Sequence, residues 1–277
     1  MRKESFTGKR PMTDPHMITA PLRYLAADSD SPVFFVGEPG KASRSVGTYV
    51  DIPVSIRSGR TAVPKPAFDR EGFELVEHKT TDVDFGSDRD VEEHYYPQIA
   101  RLFQERLGAA EVLVFDHTVR VAAETEGVRK PVRHVHNDYT AASTAQRVSD
   151  LTGSRSSSLM ERRFAQVNLW RPINIPALNS PLAILDAQSL ELEHLVKAAV
   201  VYSERRGEVY EVVHNNSHRW FFFPSMMPSE ALIFRGYDSS ETVSHPFTPH
   251  TAFDVPNSPA DAPPRKSIEL RAMAFFN

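Results

Sequence analysis

Ser267-Ile268-Glu269-Leu270-Arg271-Ala272-Met273-Ala274-Phe275-Phe276 near the chain end alternates polar and apolar residues at period two over its first half, as a strand with one face in a core does. Ser267, Glu269 and Arg271 share one side of it. An earlier run, Phe164-Ala165-Gln166-Val167-Asn168-Leu169-Trp170, likewise puts Gln166, Asn168 and Trp170 on one side. Two strands therefore offer polar groups to an interior. Working outward, strand-like runs occupy 163–170, 181–186, 199–203, 208–214, 219–223, 230–235, 243–248 and 267–276, most of them separated by Pro, Gly, Asn or Ser. A short helical stretch near 189–197 is the one interruption. This pattern predicts a mainly β fold with flanking helices, a double-stranded β-helix (jelly roll, cupin-like) around a polar pocket, in preference to alternating βαβ units.

Upstream, Ser87-Asp88-Arg89-Asp90 resembles a capping box, and Val91, Tyr95, Ile99, Leu102 and Phe103 then recur at helical spacing until Gly108. Small and polar residues between 140 and 160 predict a loop with a short helix. Residues 1–65 mix short apolar runs (Val33 to Val36, Tyr49 to Ile52) with Pro and Gly, and are expected to form a peripheral extension outside a β-helix core over 110–277. At 277 residues the chain is long for one domain, yet barrels of ~200–250 residues are common, so a single domain over 1–277 is expected.

The chain has no cysteine, which excludes disulfides, thiolate metal sites and cysteine nucleophiles, so any metal must sit on His and carboxylate. A net charge of -4 with scattered Lys and Arg gives no attraction for a phosphate backbone, and nucleic acid is not expected as a partner. No apolar stretch approaches a membrane span or a signal segment, so no membrane association and a cytoplasmic location are expected. A homodimer is the statistical default.

His136-Asn137-Asp138 places two ligand-type side chains two residues apart, able to face one cation from the end of a strand. Two His and one carboxylate on one face of an octahedron suit non-haem Fe(II) and leave positions for cosubstrate and dioxygen. His-x-Asp alone is common; its place just before the run of strands gives it weight. His214, His218, His245 and His250 compete for the third position. His250 is preferred because it follows the run Ala231-Leu232-Ile233-Phe234 and precedes the last strand, whereas His214 and His218 flank a turn where a solvated imidazole is the plainer reading. His134 faces the same side as His136 and is read as a pocket residue, though it could replace either ligand. A dicarboxylate cosubstrate would need a fixed cation at its distal end, for which alternation qualifies Arg271 and Arg265. Arg271 ranks first, since it lies among apolar neighbours, although it could pair with Glu269 alone; Arg265 beside Lys266 could be a solvated charge. Tyr139, Trp170 and Arg219 are weaker candidates for lining a substrate pocket, where core packing is the plainer reading. No Gly-x-Ser-x-Gly elbow and no Gly-x-Gly-x-x-Gly after a strand is present, and Gly37-Glu38-Pro39-Gly40-Lys41-Ala42-Ser43 lacks phosphate-loop spacing.

In chain order, Val114-Phe115-Asp116-His117-Thr118-Val119-Arg120, His134 to Thr140, Asn168-Leu169-Trp170-Arg171-Pro172, Phe247 to Phe253 and Pro263 to Arg271 resemble the family of gibberellin desaturase-like and cephamycin 7α-methoxylase-associated proteins, with fungal endoperoxide-forming oxygenases. The resemblance runs from about Phe73 to the C-terminus. It implies an Fe(II)- and 2-oxoglutarate-dependent oxygenase of specialised metabolism, with His136, Asp138 and His250 as iron ligands and O2 as oxidant. Arg265 or Arg271 would then hold the far carboxylate of 2-oxoglutarate, and hydroxylation, desaturation or a related C–H oxidation of a small organic molecule would be the outcome. Two rival readings use the same residues: a cupin-like lyase or isomerase in which the metal acts as a Lewis acid, and a non-catalytic barrel that binds a small ligand.

Overall fold

The computed structural model describes residues 16–36, 44–81, 83–122, 129–256, 258–259 and 261–277. Residues 1–15 and 37–43 of the expected extension lie outside them. The strands are β1 (Met17–Leu25), β2 (Val33–Phe35), β3 (Arg44–Val46), β4 (Tyr49–Ser58), β5 (Phe73–Glu77), β6 (Glu111–Val121), β7 (His136–Asn137) and β8 (Phe164–Pro172). There follow β9 (Leu182–Leu185), β10 (Leu195–Val201), β11 (Arg206–Val212), β12 (Trp220–Phe222), β13 (Glu230–Asp238), β14 (His250–Ala252) and β15 (Lys266–Phe275). They form two sheets, one in the order β1-β4-β12-β9-β14-β7-β11-β10-β2-β3 and one in the order β5-β13-β8-β15-β6.

The two alternating strands build the second sheet as expected. In β8 and β15, Val167, Leu169, Ile268 and Leu270 pack outward against Tyr95, Ile99 and Phe103. These belong to a helical run of α2 (Asp88–Asp90), a π turn (Val91–Tyr95) and α3 (Tyr96–Leu107). Ser87 caps the run by accepting from the Asp90 amide, and Gly108 ends it in the left-handed conformation at φ 70°. Each such buried apolar side chain contributes roughly 1.5–3 kcal/mol. The opposite faces of β8 and β15 turn toward the first sheet, where Trp170, Leu232 and Phe234 meet Ile184 and Phe221. Elsewhere Phe164, Met273 and Phe275 meet Val148 and Leu159, from α4 (Ala141–Thr152) and α5 (Ser156–Met160). Polar groups occupy the stretch of the inter-sheet space between these two apolar clusters.

Four expectations are corrected. The N-terminal strands are not peripheral: β4 pairs in parallel with β12, placing Ile56 opposite Trp220, and Leu22, Tyr24 and Ile56 are fully buried. The Tyr24 hydroxyl accepts the Trp220 indole N–H at 2.7 Å. No strand forms over 243–248, where Pro246 offers no N–H to a ladder and the next strand starts at His250. The helical stretch near 189–197 shrinks to two 3-10 turns, Ala187–Ser189 and Leu192–His194, because β10 begins at Leu195. The segment 140–160 is more helical than expected: Thr140 and the Ser143 side chain cap α4 reciprocally, which lets twelve residues wind.

Candidate metal centre and active-site cleft

β7 is only two residues long and is held from both sides. Glu211 of β11 stands opposite His136, and His250 of β14 stands opposite His136 on the other side. Asn137, between the two expected ligands, anchors the segment. Its Nδ2 donates to the Tyr139 carbonyl at 2.7 Å and the Gly236 carbonyl at 2.8 Å, and its Oδ1 accepts the Thr248 amide at 3.3 Å. Gly236 sits where the β13–β8 register shifts between Arg235 and Tyr237. A Cβ there would run into the amide end of the buried Gln166 side chain, which would have to move.

The result is a buried cluster in which His136, Asp138 and His250 each turn a ligand atom inward, all within 4.8 Å of one another. The His136 and His250 ring centroids are 4.5 Å apart, and His136 Nε2 lies 3.6 Å from Asp138 Oδ1. His136 Nδ1 bonds to the His134 carbonyl at 2.9 Å, which fixes the tautomer and leaves Nε2 for a metal. Burial raises the Asp138 pKa, but Arg271, His136 and His250 outweigh it and hold the carboxylate well below its ordinary range. Burial, reinforced by His136, pushes His250 down to about 3, so its imidazole is neutral at pH 7. Among the described residues no hydrogen-bond partner meets the buried His250 Nδ1. Burial lowers the His136 pKa, but its bond to Asp138 and the Asp138 charge outweigh that and raise it, so a metal would take the place of a proton there. Two imidazoles and an ionised carboxylate are a donor set that fits an Fe(II) ion.

Around Asp138 runs a second set of partners. Its Oδ2 accepts from Asn168 Nδ2 at 2.6 Å and from Arg271 Nε at 3.0 Å. Arg271 also donates to Glu269 at 2.9 Å and Asp116 at 2.9 Å, so three carboxylates engage its guanidinium. Arg265, four residues before Glu269 on the same face, is different. It is fully buried, lies 5.4 Å over the Trp170 ring and donates to the Ser180 carbonyl. No carboxylate lies within ion-pair distance among the described residues. Burial, then Arg120 and Arg133, pushes its pKa down to about 9.

Beside Asp138 a cleft of about 330 Å³ opens between α4 and the β10–β11 hairpin, with Tyr139, Arg147, Val200, Tyr202 and Val209 in its walls.

The profile of the family described as YDMC, Oxidoreductase/YMDC permease-like domain, spans residues 22–275. The Fe(II)/2-oxoglutarate-dependent dioxygenase nvfI of Aspergillus novofumigatus is 30% identical over 188 residues, 67% of this chain and 67% of that protein. The chain belongs to this Fe(II)/2-oxoglutarate-dependent oxygenase family. The hydroxylase/desaturase efuI of Hormonema carpetanum is 27% identical and covers 82% of the chain and 85% of its own length. The alpha-ketoglutarate-dependent dioxygenase phiK of a fungal species is 28% identical over 222 residues, covering 75% and 79%. In fold, the solved iron and alpha-ketoglutarate-dependent endoperoxidase NvfI matches with a TM-score of 0.85 at 23% identity, covering 95% of this chain and 99% of that one. The oxygenase family thus carries the jelly-roll fold, the dioxygenase class and the cofactors Fe(II), 2-oxoglutarate and O2 that the sequence led us to expect, and neither rival reading is favoured. Among the described residues no helix is long and apolar enough to cross a membrane.

Of the expected site residues, Arg271 bonds to Asp138, the His134 ring lies 5.3 Å from that of His136 and Tyr139 lines the cleft beside Asp138. Arg265 and Trp170 pack on each other, and Arg219 does not reach the triad, pairing instead with Asp186 at 2.7 Å at a half-exposed position. Nor do the competing histidines reach it. His218 stacks on Tyr24 and bonds to His194 at 3.1 Å, His214 lies against Tyr24, and His245 contacts the Leu190 carbonyl. Sequence reading missed the roles of Asn168, Asp116 and Glu211 at the centre. Asn168 carried a signal, its inward alternation in β8; Asp116 and Glu211 could be placed only by pairing across the sheets.

Proposed function

We propose that the chain is an Fe(II)/2-oxoglutarate-dependent oxygenase that hydroxylates, desaturates or otherwise oxidises a C–H bond of a small organic molecule of specialised metabolism. In this reading His136, Asp138 and His250 hold the iron and Arg265 holds the far carboxylate of 2-oxoglutarate. The single observation that carries it is the convergence of the three ligand atoms in a buried space beside the cleft. Bound iron with 2-oxoglutarate and dioxygen supplies the oxidant for C–H cleavage. The chain supplies placement. Asn168 and Arg271 hold Asp138 ionised and aimed through bonds of 2.6 and 3.0 Å, and the His134 carbonyl orients His136. Apolar Val200 and Val209 and the ring of Tyr139 line the approach and limit water near the reacting C–H bond.

Arg265 is preferred to Arg271 for the cosubstrate because of charge balance. Arg271 already meets three carboxylates, whereas Arg265 is a buried cation that feels Glu269 only at longer range and has room in its charge balance for an arriving anion. Its guanidinium can take a carboxylate by two parallel bonds.

The test is anaerobic addition of Fe(II), then 2-oxoglutarate, to the apoprotein while watching for the weak visible charge-transfer band of a chelated keto acid. The band should appear at one iron per chain, and Asp138→Ala and His250→Ala should each lose stoichiometric iron. Full iron in either variant would overturn the ligand assignment, and iron without a band would overturn the 2-oxoglutarate reading.

A further inference from the structure

Val209, in the cleft wall, has a neighbour two residues on and therefore on the same face of β11: Glu211. Glu211 is fully buried, yet among the described residues neither carboxylate oxygen receives a well-aligned hydrogen bond. Its nearest ionisable neighbour is His134, whose Nε2 lies 3.2 Å from Oε1. Among the described residues the buried Tyr49 hydroxyl likewise lacks a well-aligned hydrogen bond. Burial, then the Glu211 charge and a poorly aligned hydrogen bond to its carboxylate, raise the phenol pKa. A buried carboxylate short of donors is costly to the fold, on the order of 1–3 kcal/mol or more. Such a group invites a function.

Its surroundings point to one. Glu211 stands in register with the iron ligand His136. The His134 ring lies 5.3 Å from His136, 5.2 Å from Phe34 and 5.5 Å from Tyr49. Phe34 is in turn opposite Val200 of the cleft wall. The aromatic rings and the carboxylate thus adjoin the metal ligands on one side and, through the Phe34–Val200 pairing, the cleft wall on the other. The rings suit a flat body, and the unsatisfied acceptors suit a donor carried by it.

We propose that Glu211, with Tyr49 and His134, is a specificity-determining subsite that receives a hydroxyl group on a ring-containing substrate, whose flat body lies among Phe34, Tyr49 and His134. This assignment rests on the oxygenase reading of the neighbouring triad. The occupant donates its O–H to Glu211, and its ring is held at a fixed distance from the iron ligands. A site built to bond a hydroxyl discriminates strongly against an analogue lacking it, because its own buried acceptor is then left unpaired.

The probes are 2-naphthol and 2-methoxynaphthalene, which share a ring body and differ in one donor. Binding is read on the anaerobic protein by perturbation of the 2-oxoglutarate–iron band and, independently of any metal, by ligand-detected NMR. The wild type should bind 2-naphthol at least tenfold tighter, about 1.4 kcal/mol. Glu211→Gln should narrow that ratio and Glu211→Leu should abolish it. Replacing a buried, poorly paired charge by an apolar side chain is not expected to cost stability, and a melting curve for each variant checks this. Equal affinities in the wild type, no binding of either probe, or a tenfold preference retained by Glu211→Leu would overturn the proposal. If the band never forms while NMR shows the discrimination, the iron reading fails and the hydroxyl subsite stands.

Discussion

Replacing Arg265 by Met removes the buried guanidinium while keeping most of the stem that packs on Trp170. Burial in the folded chain, then Arg120 and Arg133, lowers this group from its ordinary value to about 9, which converts to roughly 5 kcal/mol against keeping it charged, an order-of-magnitude upper figure. The sign matters. The unfolded chain binds the proton more tightly, so the cost is fully present below about pH 9 and fades as pH rises from there toward the ordinary arginine range. At pH 7.5 the ligand-free Arg265→Met protein should therefore be as stable as the wild type or more so, after allowing for the lost bond to the Ser180 carbonyl. For the cosubstrate the effect is opposite. Losing one partner of a buried, hydrogen-bonded charge pair costs about 2–5 kcal/mol, so the Kd for 2-oxoglutarate should rise about 30-fold or more. A urea titration of the apoprotein and an anaerobic 2-oxoglutarate titration of the iron-loaded protein measure the two. Unchanged 2-oxoglutarate affinity would refute the assignment of Arg265, and so would a matching loss of stability, which would make it a structural group.

Arg271→Met should behave in the reverse manner. It strands Asp138, Glu269 and Asp116, and a urea midpoint lower by the equivalent of about 3–5 kcal/mol is expected, together with weaker iron binding by metal analysis. Gly236→Ala forces its Cβ onto Gln166 and should cost about 1–3 kcal/mol while loosening the Asn137 anchor, visible as reduced iron occupancy. His218 is pushed down to about 3 by burial, then by His194 and His214. Its stabilising contribution as a neutral ring is present above the unfolded value of 6.5 and is lost as pH falls toward 3. Between pH 7.5 and 5.5 the wild type should lose about 1.4 kcal/mol through this group, and His218→Gln should lose correspondingly less in paired urea titrations.

How much of this was legible depends on how far apart in the chain the deciding groups lie. The alternation of β8 and β15 is local, and it correctly turned Asn168, Glu269 and Arg271 inward. It could not rank Arg271 against Arg265, because both fall on one face and the partners that distinguish them come from afar: Asp138 is 133 residues from Arg271 and Asp116 is 155. The same limit hid Glu211, which looks like an ordinary strand residue until pairing sets it opposite His136. The error over the N-terminal strands had a different origin. Ile52, Val54 and Ile56 do alternate in β4, but Pro53 interrupts them, and Pro reads as a break. In the structure Pro53 faces Pro21 across the β1–β4 pair, so the two residues without an N–H meet each other and the rest of the ladder closes around them.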